Sequence, residues 1–436
     1  MIKTSKTMHT RHINLILLVL IPIIVQAQTA VGGDISMIPA YEAAGDKWLD
    51  HRGHEIPDLI EYLRDHAGWN SARVRLMVDP TQDNDPATCQ DLQYVKTLGE
   101  RIKRAGMNLL LDIFYSDTWT DPAQQWIPKS WGMNRNTPTE TLAERVAQYT
   151  RESIDALVQS GVTPDYVQIG NEVSYGMLWD NLQGKNNSQN AFYLDPQWAS
   201  YDKYQAQITR FATLLNSAAQ GVRSSQAPNA RIILHIERSG ESGSASNFYT
   251  WVQRAGFTDF DIIGLSYYPF WHGNLDDLTT TVRTLQSQMP TRPIHLVETA
   301  YNYQWGPSDA LCHDWPYTPE GQAQFLSDLA QRLITLGVQG MYYWFPEECG
   351  NGHDTKLQLS WLNRGLWQNS DQDPRHPLNS PQSLAAFKQF SVQTSISNPS
   401  PVSPHATPTY NLQGLRLATD QIHGIIITQG TKQIRP

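Results

Sequence analysis

Short apolar runs alternate along most of the 436-residue chain with longer stretches whose apolar residues recur at helical spacing. Eight runs read as strands: Ile35 to Met37, Ala72 to Val78, Asn108 to Phe114, Tyr166 to Gly170, Arg231 to Ile236, Asp261 to Ser266, Ile294 to Val297 and Gly340 to Trp344. Between them, Ala87 to Ala105, Thr139 to Ser160, Tyr201 to Ser224 and Pro319 to Leu336 carry the period of an amphipathic helix and end near Gly or Pro. One strand per helical stretch, at roughly 35 to 60 residues per unit, is the pattern of parallel βα units. Eight units predict an α/β fold of the closed (β/α)8 TIM-barrel type. An open, doubly wound sheet would want a Gly-rich phosphate turn after its first strand, and Gly32-Gly33-Asp34 is not one.

Both ends depart from this alternation. Lys3, Lys6 and Arg11 precede the apolar run Ile13 to Val25 and the close Gln26-Ala27-Gln28, the order of a secretory signal. The run is short of the ~20 residues of a spanning helix. Residues 1–27 are therefore expected to be cleaved after Ala27, leaving a secreted chain (periplasmic, cell-surface or extracellular) with no membrane insertion. The barrel is assigned to residues 28–396. Pro399, Pro401, Pro404 and Pro408 among small polar residues mark 397–409 as a stiff linker. Residues 410–436, with the apolar run Gly424 to Thr428, read as a short β-rich tail of two or three strands, too small for a core of its own.

The chain holds 33 basic and 42 acidic side chains, a formal net charge of −9. Loss of residues 1–27, with three basic and no acidic side chains, takes the balance to −12. Nucleic acid and anionic membranes are poor partners for such a chain, and a monomer is expected. Cys89, Cys312 and Cys349 permit at most one intramolecular disulfide. Three pairings and three free thiols are all open; Cys312 with Cys349 is preferred because both fall in loops following neighbouring strands. No C-x-x-C, H-E-x-x-H or phosphate-binding Gly loop occurs, so metal and nucleotide chemistry has no motif behind it. The 14 Trp and 19 Tyr suit sugar stacking and a large aromatic core equally.

In such a barrel the chemistry sits at the C-terminal ends of the strands. Five ends are polar: Asp112 with Asp117, Asn171 with Glu172, His235 with Glu237, Tyr267 with Tyr268, and Glu298. Glu172 and Glu298 each end an apolar run, where burial disfavours a charge. Two carboxyls about 5 to 5.5 Å apart hydrolyse a glycosidic bond with retention, one as general acid/base and one as nucleophile. The fourth and seventh strands can present them to each other over the barrel mouth. One strand-end Glu would as readily be a structural ion pair; two on these strands, one preceded by Asn, point to catalysis.

The motifs Leu111-Asp-Ile-Phe-Tyr-Ser-Asp-Thr-Trp-Thr-Asp-Pro122, Gln168-Ile-Gly-Asn-Glu172 and Gly264-Leu-Ser-Tyr-Tyr-Pro-Phe-Trp-His-Gly273 together resemble those of the endo-β-1,4-galactanases, glycoside hydrolase family 53. Val297-Glu-Thr299, Thr318-Pro-Glu-Gly-Gln322, Tyr343-Trp344, Ala72-Arg-Val-Arg75 and Asp79-Pro80 extend the resemblance, in order, over residues 32–368. It implies an arabinogalactan or galactan substrate, Glu172 as acid/base, Glu298 as nucleophile and Asn171 at the sugar 2-hydroxyl. Arg73 matches the family's second-strand arginine, and either it or Arg75 could orient the nucleophile. Trp344 would be a stacking floor; Asp112, Asp117, Trp119, His235, Tyr267 and Tyr268 are substrate-side candidates, with Asp112 and His235 also readable as buried structural groups. No cofactor is required. Some bacterial relatives hold a structural calcium, for which Asp314, Asn351, Asp354 and Asn363 are the oxygen ligands on offer; they are also ordinary loop formers. The chain departs from the family at Phe114, usually His, and at Phe345, usually Glu. These changes bear on the substrate, so a sibling endo-glycanase acting on mannan or xylan and a non-catalytic glycan-binding protein stand as alternatives.

Overall fold

The computed structural model describes residues 29–180, 194, 200–349, 363–369, 373–397, 424–428 and 431–435. The proposed signal and, apart from Ser397 at the end of the helix Pro381–Ser397, the proposed linker lie outside these residues. Twelve strands and ten helices are described, and eight of the strands close into a barrel: β1 (Ala30–Asp34), β3 (Ser71–Leu76), β4 (Asn108–Ile113), β5 (Tyr166–Ile169), β6 (Arg231–Ile236), β7 (Ile262–Tyr267), β8 (Ile294–Thr299) and β9 (Gly340–Trp344). Each pairs in parallel with the next, and β9 closes the ring on β1 through the register Ala30↔Gly340 to Asp34↔Trp344. The intervening β2 (Lys47–Leu49) instead pairs in parallel with β10 (Arg375–Pro377) beside the barrel. In the tail, β11 (Gly424–Thr428) and β12 (Thr431–Arg435) form an antiparallel hairpin.

The first strand lies upstream of Ile35 to Met37, where the sequence pattern placed it. Ala-Val-Gly-Gly-Asp has the texture of a turn, yet both glycines are needed inside the strand. A Cβ on Gly32 would sit 1.9 Å from the Ser71 carbonyl oxygen, and one on Gly33 would sit 2.5 Å from the Trp69 ring. Glycine here marks close approach of strand and neighbours rather than a bend.

The helices wrap the barrel and bury their apolar stripes against it. Pro319–Leu336 (α9) starts and stops where its signals say: Thr318 caps it through Gly321 N, Pro319 opens it, and Gly337 closes it in the left-handed conformation. Thr139–Gln159 (α4) also keeps its expected bounds. Two helices start late. Leu92–Arg104 (α3) begins after Asp91, whose side chain accepts from Tyr94 N, while Asp85 ties the preceding segment into turns through Ala87 N and Thr88. Gln205–Arg223 (α5) begins after the 3-10 turn Asp202–Tyr204.

Candidate active site

The barrel lumen is filled in two layers. The lower one is apolar, built by Ala30, Leu110, Tyr166, Ile233, Ile262, Val297 and Tyr342. Two or four residues further along, the inward positions become Asp34, Asp112, Gln168, His235 and Ser266, because side chains on a strand return to the same face every second residue. On β8 the parity changes. Leu296 pairs with Leu265 and Glu298 pairs with Ser266, so Val297 is a one-residue bulge that lets both Val297 and Glu298 face the lumen. Bulges beside sites re-aim side chains in this way.

Arg73 is the hub of the polar layer. Its guanidinium donates to Asp34 Oδ2 (2.8 Å), Asp112 Oδ2 (2.6 Å) and Asn171 Oδ1 (2.7 Å), and pairs with Glu298 Oε1 at 2.7 Å. Burial opposes its charge, but Asp112, Glu298 and Asp34 together hold it protonated. Of the two arginines on β3, Arg73 therefore holds the seventh-strand glutamate. Arg75 lies fully buried 3.7 Å from Asp34, with its guanidinium 4.5 Å from the Trp119 ring centroid and 5.5 Å from that of Phe345. None of its three side-chain nitrogens has a hydrogen-bond partner among the described residues. The departures at Phe114 and Phe345 thus produce an apolar wall around a cation: Phe114 packs on Trp119, and Phe345, at φ 63°, packs on Trp344.

Glu172 follows β5 in the left-handed region at φ 47°, a costly conformation for a side chain with a Cβ. Gln125 Nε2 donates to the Asn171 carbonyl (2.7 Å), and Asn171 Nδ2 donates to the Thr120 carbonyl (2.7 Å), fixing the turn. Ser266 Oγ donates to Glu172 Oε1 at 2.6 Å, and Tyr268 Oη donates to Glu298 Oε2 at 2.9 Å. His235 Nδ1 faces the donors Gln168 Nε2 (3.0 Å) and Glu172 N (3.3 Å) and one acceptor, Asn171 Oδ1 (3.1 Å); with two N–H groups aimed at Nδ1, the ring proton is assigned to Nε2, 2.8 Å from Ser266 Oγ. Burial and the charge of Arg73 keep this imidazole neutral.

The two glutamates sit in opposed environments. Burial pushes Glu172 well up, and the charges of Glu298 and Glu237 push it further. Burial also pushes Glu298 up, but there Arg73 and the Tyr268 hydroxyl pull the other way. One proton shared by the pair belongs on Glu172.

The other candidates divide. Tyr268 and Trp344 are at the mouth, with ring centroids 6.5 Å apart. Asp112 is a buried partner of Arg73 and Gln168. Asp117 accepts from Lys129 N and Ser130 and so organises its own loop. Tyr267 points outward, its ring stacked on Phe325 and its hydroxyl donating to the Gly273 carbonyl. Sequence reasoning missed Ser266, Gln168 and Asp34, which strand parity could have found. Glu237, read only as a polar strand end, stands on one wall with Ser174 and Arg238, which sequence reasoning missed. That wall belongs to a cleft of about 690 Å³ lined by Glu172, Tyr175, Glu237, Arg238 and the exposed Trp271.

The three cysteines are free, so Cys312 and Cys349 are not paired. Their loops diverge: the one after β8 turns over α9, where Tyr301 Oη donates to the Trp315 carbonyl, and the one after β9 turns toward β1, where Glu347 accepts from Met37 N. Of the oxygen ligands suggested for calcium, Asn351 and Asp354 lie outside the described residues. Asn363 Oδ1 faces the backbone N–H groups of Tyr303, Gln304 and Trp305, and Asp314 lines a separate groove with Asp276 and Asp328.

A (β/α)8 barrel with two buried carboxyls at its mouth is the architecture of a glycoside hydrolase, and comparison with known proteins narrows the class. The family model for glycosyl hydrolase family 53 matches residues 30–380. The chain is 34% identical over 342 residues to the "Probable arabinogalactan endo-beta-1,4-galactanase A" of Aspergillus terreus, covering 75% of this chain and 88% of that one. It is 32% identical over 356 residues to the "Arabinogalactan endo-beta-1,4-galactanase" of Cellvibrio japonicus, covering 78% and 85%. A solved structure from a study of two fungal β-1,4-galactanases superimposes with a TM-score of 0.67 at 27% identity, over 83% of this chain and 99% of the other. The chain belongs to glycosyl hydrolase family 53.

Proposed function

We propose that the protein is an endo-β-1,4-galactanase that cleaves pectic galactan or arabinogalactan side chains with retention at the anomeric carbon. The observation that carries this reading is the contrast between the glutamates: Glu298 is held by the Arg73 guanidinium at 2.7 Å, while Glu172 is buried among like charges. In the first step Glu298 attacks the anomeric carbon as Glu172 gives its proton to the leaving glycosidic oxygen. In the second, Glu172 takes a proton from water, which displaces Glu298 and restores both groups. No cofactor enters. Asn171 Nδ2 has spent one hydrogen on Thr120, and its second is available to the sugar 2-hydroxyl. Trp344 forms the floor under the sugar on the non-reducing side, and the cleft beside Trp271 takes the leaving portion.

The polysaccharide preference comes from the relatives' names and the shared motifs, whereas the apolar wall of Phe114 and Phe345 departs from the pattern that the resemblance implies. Reducing-sugar release from a panel of galactan, arabinogalactan, mannan and xylan tests the preference. Release from galactan and arabinogalactan but not from mannan or xylan is expected; release from mannan or xylan instead, or binding without release, would overturn it. Export after cleavage near Ala27 belongs to the same reading, and no helix among the described residues is long and apolar enough to cross a membrane. Action as a monomer, without nucleic-acid partners, completes it. Glu172→Ala is expected to lose turnover and to recover it with azide on substrates with good leaving groups.

A further inference from the structure

Among the described residues, one group of three potential metal ligands stands together, and it lies outside the catalytic layer: Asp46, Cys349 and His376, all buried. The three come from distant parts of the chain. Asp46 lies between α1 (Ile38–Ala44) and β2, His376 is the central residue of β10, and Cys349 is in the loop after β9. The parallel pairing of β2 with β10 brings the first two together, and one ligand atom from each residue lies within 4.8 Å of the others.

The hydrogen bonding around His376 calls for a positive centre. Its Nδ1 is 3.0 Å from the Gln368 carbonyl oxygen, which can only accept, so Nδ1 carries a hydrogen. Its Nε2 is 2.9 Å from Asp46 Oδ1. In a neutral ring that nitrogen presents a lone pair to the lone pairs of a carboxylate. A proton or a metal ion must lie between them. An imidazole oriented by a backbone carbonyl on one nitrogen and free to ligate with the other is the usual support for a bound metal. A second observation lies close by. The Tyr41 hydroxyl is buried with no hydrogen-bond partner among the described residues, and the Tyr41 backbone carbonyl accepts from Asp46 N at 3.0 Å.

We propose that Asp46, Cys349 and His376 form a site for a zinc-class divalent cation, with an oxygen donor completing four-coordination. A set of one thiolate, one imidazole and one carboxylate suits a borderline ion and not the hard cations calcium and magnesium, which take oxygen ligands. Tetrahedral bonds of about 2.0 to 2.3 Å put ligand atoms roughly 3.3 to 3.7 Å apart, so the cluster closes on an ion with side-chain movements of about 1 Å. Binding replaces the Cys349 thiol proton and any proton held between His376 and Asp46. The ion would clamp β2, β10 and the loop after β9. That loop also carries Glu347, whose backbone carbonyl accepts from Trp48 Nε1 at 3.2 Å. Its role is structural, and the chemistry of Glu172 and Glu298 does not pass through it.

The test uses the full-length protein, stripped with a chelator and dialysed. Addition of Co2+ should give a thiolate-to-cobalt charge-transfer band with tetrahedral d–d bands, saturating at one ion per chain. Zn2+ should abolish both and raise the melting temperature by several degrees, since a ligand bound only to the folded state stabilises it. C349S should lose the charge-transfer band, which separates this thiol from Cys89 and Cys312, and H376Q should weaken Co2+ binding at least 10-fold. A folded parent protein that gives no thiolate band and no melting shift with Zn2+ would overturn the proposal, as would a band that survives in C349S.

Discussion

Ser266 stands between the two glutamates: its Oγ donates to Glu172 Oε1 at 2.6 Å, and its backbone is the register partner of Glu298 across the bulge at Val297. A single residue on β7 therefore fixes one carboxyl by side chain and the other by strand pairing. The hydrogen bond favours the ionised form of Glu172, against the larger effect of burial. Ser266→Ala should raise the Glu172 pKa further and carry the basic limb of the kcat/KM profile to higher pH. With the carboxyl also less firmly held, kcat should fall about 10-fold, or ~1.4 kcal/mol of barrier. An unshifted basic limb would mean that another group sets it.

Removing the neighbouring charge should act in the opposite direction. Glu298 is the largest influence on Glu172 after burial, and it raises the pKa. Glu298→Gln should make Glu172 more acidic, as read by carboxyl NMR titration in the parent and the variant. The same variant should lose nearly all turnover. An unchanged Glu172 titration would show that the two carboxyls do not face each other.

The neutral state of His235 gives a stability prediction. Burial and Arg73 depress its pKa well below the ordinary 6.5 of an unfolded chain. Below about pH 6.5 the unfolded state gains a proton that the folded state does not, so this contribution is present above that pH and lost as pH falls. The stability difference between the parent and His235→Asn should shrink through this range by up to ~1.4 kcal/mol per pH unit, measured by denaturant unfolding. A constant difference would mean that the folded ring is already charged.

At Phe345 the prediction concerns Arg75, whose buried guanidinium has rings on it and no hydrogen-bond partner among the described residues. Phe345→Ala opens a cavity and should cost about 3 to 5 kcal/mol of stability. Phe345→Glu places a carboxylate beside Arg75 and should recover much of that loss, giving the higher melting temperature of the two variants. Equal losses would show that the ring acts by volume alone.

How much of this was legible in the sequence follows from which physical signals are local. The barrel, the helix Pro319–Leu336 and the glutamates ending two apolar strands were readable because periodicity, caps and buried charge are properties of neighbouring residues. β1 was misplaced because Gly32 and Gly33 owe their presence to Ser71 and Trp69, far along the chain. Tyr267 was grouped with Tyr268 although strand parity sends them to opposite faces, and the outward stack on Phe325 follows from that. The choice between Arg73 and Arg75 needed three-dimensional partners: both face inward, and only Arg73 reaches Glu298. Pairing Cys312 with Cys349 failed because loops after neighbouring strands need not run together.

The most direct test of the two-glutamate mechanism is the stereochemistry of the first product, followed by proton NMR as the enzyme cleaves β-1,4-galactan. Double displacement through Glu298 predicts that the β-anomer appears first and mutarotates afterwards. Initial release of the α-anomer would contradict it, since a single displacement by water leaves Glu298 no bond to form.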